Sequence, residues 1–180
     1  MLSVSLPPQP VPMCAIALAI LAASTDIVSR RIPNLLILLG LVSALAVQIA
    51  LRGALSGGAL WLGGAVTGFA VLLPFYLLRG MAAGDVKLLM MLGAWLGAAA
   101  TVDIAVNTFI IGGVWSLGIA LIRGRLVRLM RNVAALLAGS GRSICAPGAS
   151  LEAAHESVGA IPYGVAIGAG TIAVLFTMVH

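Results

Sequence analysis

Charge is what this chain lacks most. Only 8% of its 180 residues are Asp, Glu, Lys or Arg, against about 25% in an ordinary soluble domain. With 62% hydrophobic residues and a mean hydropathy of +1.18, the composition excludes a soluble globular protein and predicts an integral membrane protein. Histidine is scarce as well. His155 and His180 stand alone, without the spaced ligand set a metal site needs, so no metal or other cofactor is expected. They are also too few and poorly placed for a Ser-His or Cys-His nucleophile. Cys14 and Cys145 form no CxxC pair, which argues against a disulfide framework. No basic residue precedes Pro12, and Pro7, Pro8, Pro10 and Pro12 crowd the start. That is not the charged beginning of a signal peptide. It predicts a short external arm over residues 1–11, followed by an uncleaved span.

What is present is apolar sequence in membrane-length runs. They fall at about 12–27, 34–51, 57–78, 86–100, 102–122 and 160–179. Crossing a bilayer takes about 20 residues, so the fourth run is short and is expected to be tilted or partly re-entrant. The predicted fold is an all-α, polytopic helix bundle of about six transmembrane helices, in a single domain over 1–180. Five spans with a re-entrant fourth is the alternative. No length is left for a sizeable soluble domain.

Nine of the ten basic residues fall on one side of this arrangement. They are Arg30 and Arg31, Arg79 and Lys87, then Arg123, Arg125, Arg128, Arg131 and Arg142; Arg52 alone lies opposite. The asymmetry predicts that this side is cytoplasmic and that both termini lie outside. It is also a pattern of membrane orientation and not a nucleic-acid patch. Over 124–138, Leu126, Leu129, Met130, Val133 and Leu137 recur at helical spacing, with Arg125, Arg128 and Arg131 on another face. This reads as a basic amphipathic helix on the inner leaflet, contacting membrane lipid, with substrate docking as the alternative role and a cytoplasmic loop over 139–158.

Glycine is abundant, at 22 residues. The pairs Gly53/Gly57, Gly64/Gly68, Gly80/Gly84, Gly93/Gly97 and Gly164/Gly168 have the GxxxG spacing that lets helices approach closely in lipid. So many glycines produce such pairs by chance, so they support a compact bundle and no particular contact.

Two of the five acidic residues stand out: Asp26 and Asp85, each where an apolar run meets a basic turn. A central Asp costs roughly 2.5–3.5 kcal/mol to insert, and less near the interface. A lone boundary aspartate simply reaches water. Two at the same predicted depth and on the same side suggest an acid–base pair. Asp26 is followed by Arg30, Arg31, Ile32, Pro33 and Asn34. Pro33 disfavours helix before it and suits the first turn after it, where Asn34 is placed to cap. Gly84 precedes Asp85 and offers close approach and dihedrals that other residues avoid. Lys87, the only lysine, lies two residues on and off the Asp85 face of a helix, so it is expected to mark the interface or meet an anionic group. Residues 80–87 are not a Walker A loop, because the GK[ST] ending is missing.

Two carboxyls held together titrate as a pair, with one acid and one base present near neutrality. Such a pair activates water against a peptide carbonyl while protonating the leaving group. On these residues alone, an aspartyl hydrolase, a small proton-coupled transporter or channel subunit, and a structural membrane protein all remain open.

The motif Asp26 with Arg30-Arg31-Ile32-Pro33-Asn34 (Arg-x-Ile-Pro-Asn), then Gly84-Asp85-Val86-Lys87-Leu88 leading to Gly93-Ala94-Trp95-Leu96-Gly97, resembles the type IV prepilin peptidases. The short length and the late Ile161-Pro162-Tyr163-Gly164-Val165-Ala166 are similar to the small Tad/Flp-pilus branch. The resemblance spans about residues 13–179. It implies an inner-membrane aspartyl endopeptidase that removes the short basic leader of prepilins, cutting after a glycine at the cytoplasmic face. By that match Asp26 and Asp85 are the catalytic pair, and an Flp-type pilin or pseudopilin is the substrate. The family's Gly-x-Gly-Asp motif here reads Ala82-Ala83-Gly84-Asp85, so Ala82 replaces the first glycine and is expected to tighten access to the site. Larger relatives carry a cytoplasmic segment with CxxC pairs and also methylate the new terminus. Neither feature is present, so methyl transfer is not expected.

Overall fold

The computed structural model describes residues 7–29, 31–78, 80–122 and 163–179. The described residues are helical apart from short turns, in six helices: α1 (Val11–Ser29), α2 (Asn34–Arg52), α3 (Ala54–Leu77), α4 (Ala83–Leu96), α5 (Ala98–Ile122) and α6 (Tyr163–Thr177). The expected interfacial helix at 124–138, the loop at 139–158 and the beginning of the external arm lie outside the described residues. Four helices are long and apolar enough to cross a membrane: α1, α2, α3, and α5 over Ala98–Gly118. This is the architecture of a multi-pass membrane protein. The fourth run is short as predicted. At 14 residues, α4 rises only about 21 Å, against about 30 Å for the hydrocarbon core.

The chain divides into two compact units, one of residues 1–111 and 162–180 and the other of 112–161. In the second, only the end of α5 is described. The first holds α1 to α4, most of α5, and α6.

Within the first unit α4 is the central post. Ten of its 14 residues are buried, including Leu88, Leu89, Met91, Leu92 and Trp95. Its most extensive partner is α3, and glycine sets that contact. A Cβ at Gly64 would collide with the Gly93 carbonyl, and one at Gly93 with the Gly64 carbonyl. Gly68 meets the Leu89 carbonyl in the same way. Backbone therefore lies on backbone, as small residues permit in lipid. Gly53 and Gly97 serve differently. With φ of 83° and 85°, they make the turns from α2 to α3 and from α4 to α5, which side-chain-bearing residues rarely adopt.

Polar side chains pin the helices to each other. Trp95 Nε1 donates to the Gly40 carbonyl at 3.0 Å, and Trp61 Nε1 to the Leu41 carbonyl at 2.9 Å. The Gln48 amide donates to the Trp95 carbonyl at 2.6 Å. Each carries a donor from one helix to the backbone of another, where water is not available to compete.

Helix α1 buries a narrow stripe: Val11, Ala15, Ala19, Ala22 and Asp26. The steps of four, four, three and four residues keep them on one face. Alanine on that face lets α6 pack closely, and Gly168 lies against Ala19 and Ala23. Pro12 is buried in the first turn of α1, where its missing N–H has no helical partner to lose.

Candidate active site

One end of the first unit gathers three chain segments: the end of α1 with the turn into α2, the start of α4, and the start of α6. Asp26 extends the alanine stripe of α1 and therefore points inward; it is 9% exposed. Asp85 occupies the first turn of α4 and is 5% exposed. The charge of Asp26 acts on the Asp85 carboxyl, so the structure brings the two acids into electrostatic range.

Both acids are fastened by backbone amides at helix starts. The Ala82 N–H donates to Asp85 Oδ2 at 3.3 Å, the reach-back half of a capping box; Ala82 itself has no side-chain oxygen to complete it. The Gly164 N–H donates to Asp26 Oδ2 at 3.0 Å. The amides of a helix's first turn have no partner within the helix and carry its positive end, so a carboxylate is well placed there.

The supporting residues behave less uniformly. Pro33 is the N-cap of α2 with φ −60° and ψ 130°, and its carbonyl accepts from the Leu36 N–H. Asn34 does not cap that helix, contrary to expectation. It is the first helical residue, and its Oδ1 accepts a 3.0 Å hydrogen bond from Lys87 Nζ, joining the start of α2 to the start of α4. Lys87 is exposed and off the Asp85 face, as its spacing requires. Arg31 is exposed on the α1–α2 turn, and Arg30 lies outside the described residues.

Gly84 also differs from expectation. It sits inside α4 without a positive φ, and a Cβ there would rest 3.6–3.7 Å from Ile32, an ordinary contact. Its glycine is not demanded by backbone conformation. Ala82, which stands where the motif has its first glycine, is exposed and extended at φ −79° and ψ 150°, a conformation any residue adopts. Its methyl costs the backbone nothing and closes no buried space. Gly164 is the residue that sequence reasoning missed as part of this site. Its spacing with Gly168 and its place after Pro162-Tyr163 were visible; a backbone donor 138 residues from its acceptor leaves no signature in residue type.

Chemically, two buried carboxyls in range of each other share their protons unequally, because like charges repel. One is then available as acid while the other serves as base. Among the described residues no group of three or more His, Cys, Asp or Glu is placed to hold a metal ion.

A family model for the type IV leader peptidase family matches residues 13–117, which contain both aspartates. No curated protein and no solved structure matches the chain.

Proposed function

Because the chain belongs to the type IV leader peptidase family, we propose that it is an aspartyl endopeptidase in which Asp26 and Asp85 are the catalytic pair. Its substrate is a prepilin of the Tad/Flp type, an Flp-type pilin or pseudopilin. It cuts off the short basic leader at the cytoplasmic face of the bacterial inner membrane. The observation that carries the reading is the convergence of two buried carboxylates, from α1 and α4, at one end of the unit. In the proposed reaction the ionised carboxylate takes a proton from a water molecule as that water attacks the peptide carbonyl. The protonated carboxyl supplies a proton to the departing amine, so the pair again holds one proton, now on the other member, and its passage back restores the starting state. Position at helix ends favours this over a transporter, whose coupling acids belong near mid-bilayer.

The test is leader release from an Flp-type prepilin by the purified protein in detergent, with the cut mapped by mass spectrometry. Cleavage after the leader glycine is expected. An intact prepilin, with a folded enzyme present, would overturn the assignment. The same assay addresses metal and thiols. An aspartyl pair needs neither, so EDTA, or Cys14→Ala with Cys145→Ser, should leave the rate within about twofold of wild type. Loss with EDTA and recovery with zinc would make the aspartates metal ligands instead.

Orientation has its own test. Arg31 and Lys87 lie at the acid-bearing end and Arg52 at the far end of α2, in keeping with a cytoplasmic site. In the thiol-free background, Arg31→Cys and Arg142→Cys should resist an impermeant maleimide in intact cells and react after lysis. Labelling of either from outside would put the site on the opposite face.

A further inference from the structure

We propose that Gly164 is a positioning residue for Asp26: its amide holds the carboxylate, and its missing side chain is what leaves the carboxylate room. The proposal rests on the reading of Asp26 as one of the catalytic pair.

Three observations converge on it. The Gly164 N–H donates to Asp26 Oδ2 at 3.0 Å, within the buried interface of α1 and α6. A Cβ on Gly164 would lie 2.7 Å from Oδ2, closer than real contacts allow, and 3.1 Å from both Cβ and Cγ of Asp26, so the Asp26 side chain is what would have to shift. Finally, Gly164 has no positive φ, so conformation does not explain the glycine. The explanation is space, and the group that needs the space is the carboxylate.

Gly168, one turn further along α6, supplies the contrast. It faces the same helix, but a Cβ there would sit 3.5 Å from the Ala19 carbonyl oxygen and 3.6 Å from the Ala23 Cβ, in ordinary contact. Close packing of α1 on α6 therefore tolerates a methyl at 168 and not at 164. The difference between the two is Asp26.

The arrangement does two things for the acid. The amide restricts the carboxyl to one orientation, so it faces the reacting groups without searching rotamers. Being anchored to α6, the carboxyl also keeps its place relative to a second helix and not to α1 alone. A side chain at 164 displaces the carboxyl, and on this proposal Gly164 acts through Asp26 and not on the substrate. Its signature is therefore a loss in turnover with little change in KM.

The experiment compares Gly164→Ala and Gly168→Ala with wild type in the detergent assay, with Asp26→Asn alongside. Gly164→Ala is expected to lower kcat about 100-fold with KM nearly unchanged, the scale of effect for an ångström-sized misplacement of a reacting group. Gly168→Ala should stay within about threefold of wild type, as suits an ordinary contact. Should Gly164→Ala fail to fold, a version without any added atom decides the matter. Residue 145 is a cysteine, so the segment 145–180 can be joined by ligation with an ester in place of the Tyr163–Gly164 amide. Loss of that single donor should lower kcat roughly tenfold, as removal of a hydrogen bond to a charged group does. Unchanged kcat in the ester variant, or a rise in KM alone, would overturn the positioning role. Normal cleavage by Asp26→Asn would instead overturn the catalytic reading on which it rests.

Discussion

Asp26→Asn and Asp85→Asn are each expected to leave a folded, membrane-inserted protein whose leader cleavage is lower by on the order of 10²–10⁴-fold, the contribution of a positioned acid or base. Folding should survive because asparagine keeps the size of the side chain and one oxygen acceptor. At position 85 that oxygen still meets the Ala82 N–H, and at position 26 the Gly164 N–H. What disappears is the titrating group. Combining the two changes should cost little more than either alone, as expected of groups proposed to act as a unit. Asp103→Asn is the control. Asp103 is exposed near the start of α5, which follows α4 at the end remote from Asp85, and its loss should leave the rate unchanged. Full processing by either of the first two variants, with purified enzyme and prepilin, would end the aspartyl mechanism.

The second large effect is on stability. Gly64→Ala and Gly93→Ala should each destabilise the purified protein severely, by more than about 3 kcal/mol, because the added methyl meets a backbone carbonyl of the opposing helix. Neither α3 nor α4 can yield without surrendering the rest of its contact, and α4 is the buried centre of the unit. Gly63→Ala, one residue away, has open space around its Cβ. It should be neutral or slightly stabilising, by roughly 0.5–1 kcal/mol, as alanine is the better helix former. Thermal unfolding in a mild detergent, followed by circular dichroism, measures all three. Equal melting temperatures for Gly63→Ala and Gly64→Ala would disprove the backbone contact.

Much of this was legible in the chain because lipid leaves few choices. A segment that must satisfy its own backbone in hydrocarbon becomes a helix, and its length can be counted. The expected runs 34–51 and 57–78 match α2 and α3 to within three residues at each end, and the short fourth run is a short helix. The paired acids were visible for a similar reason: ionisable groups in such a sequence need a reason to be there. Contacts between helices were harder. Of five glycine pairs in the sequence, Gly64 and Gly68 pack against α4, whereas Gly53 and Gly97 turn the chain. The spacing is the same, and only the location of helix ends separates the roles. Asn34 looked like a cap by residue type, yet the α2 backbone is initiated by Pro33 and the side chain is used across helices by Lys87. Gly84 looked conformational and is not.

The inward stripe of α1 has one more consequence, which concerns phase. Asp26 reaches the site because it stands four residues beyond Ala22 on a helix already locked in rotation by Ala15, Ala19 and Ala22. Each residue turns an α-helix by about 100°, so inserting or deleting one between Ala22 and Asp26 would swing the carboxyl away from Gly164 while the Ala15–Ala22 stripe keeps its packing. An insertion of seven would restore its heading but carry it about 10 Å along the axis, past its partner. On the proposed reading of Asp26, its address on this helix is therefore a count as well as a residue: a chain with every acid retained and one residue too many is expected to lose cleavage.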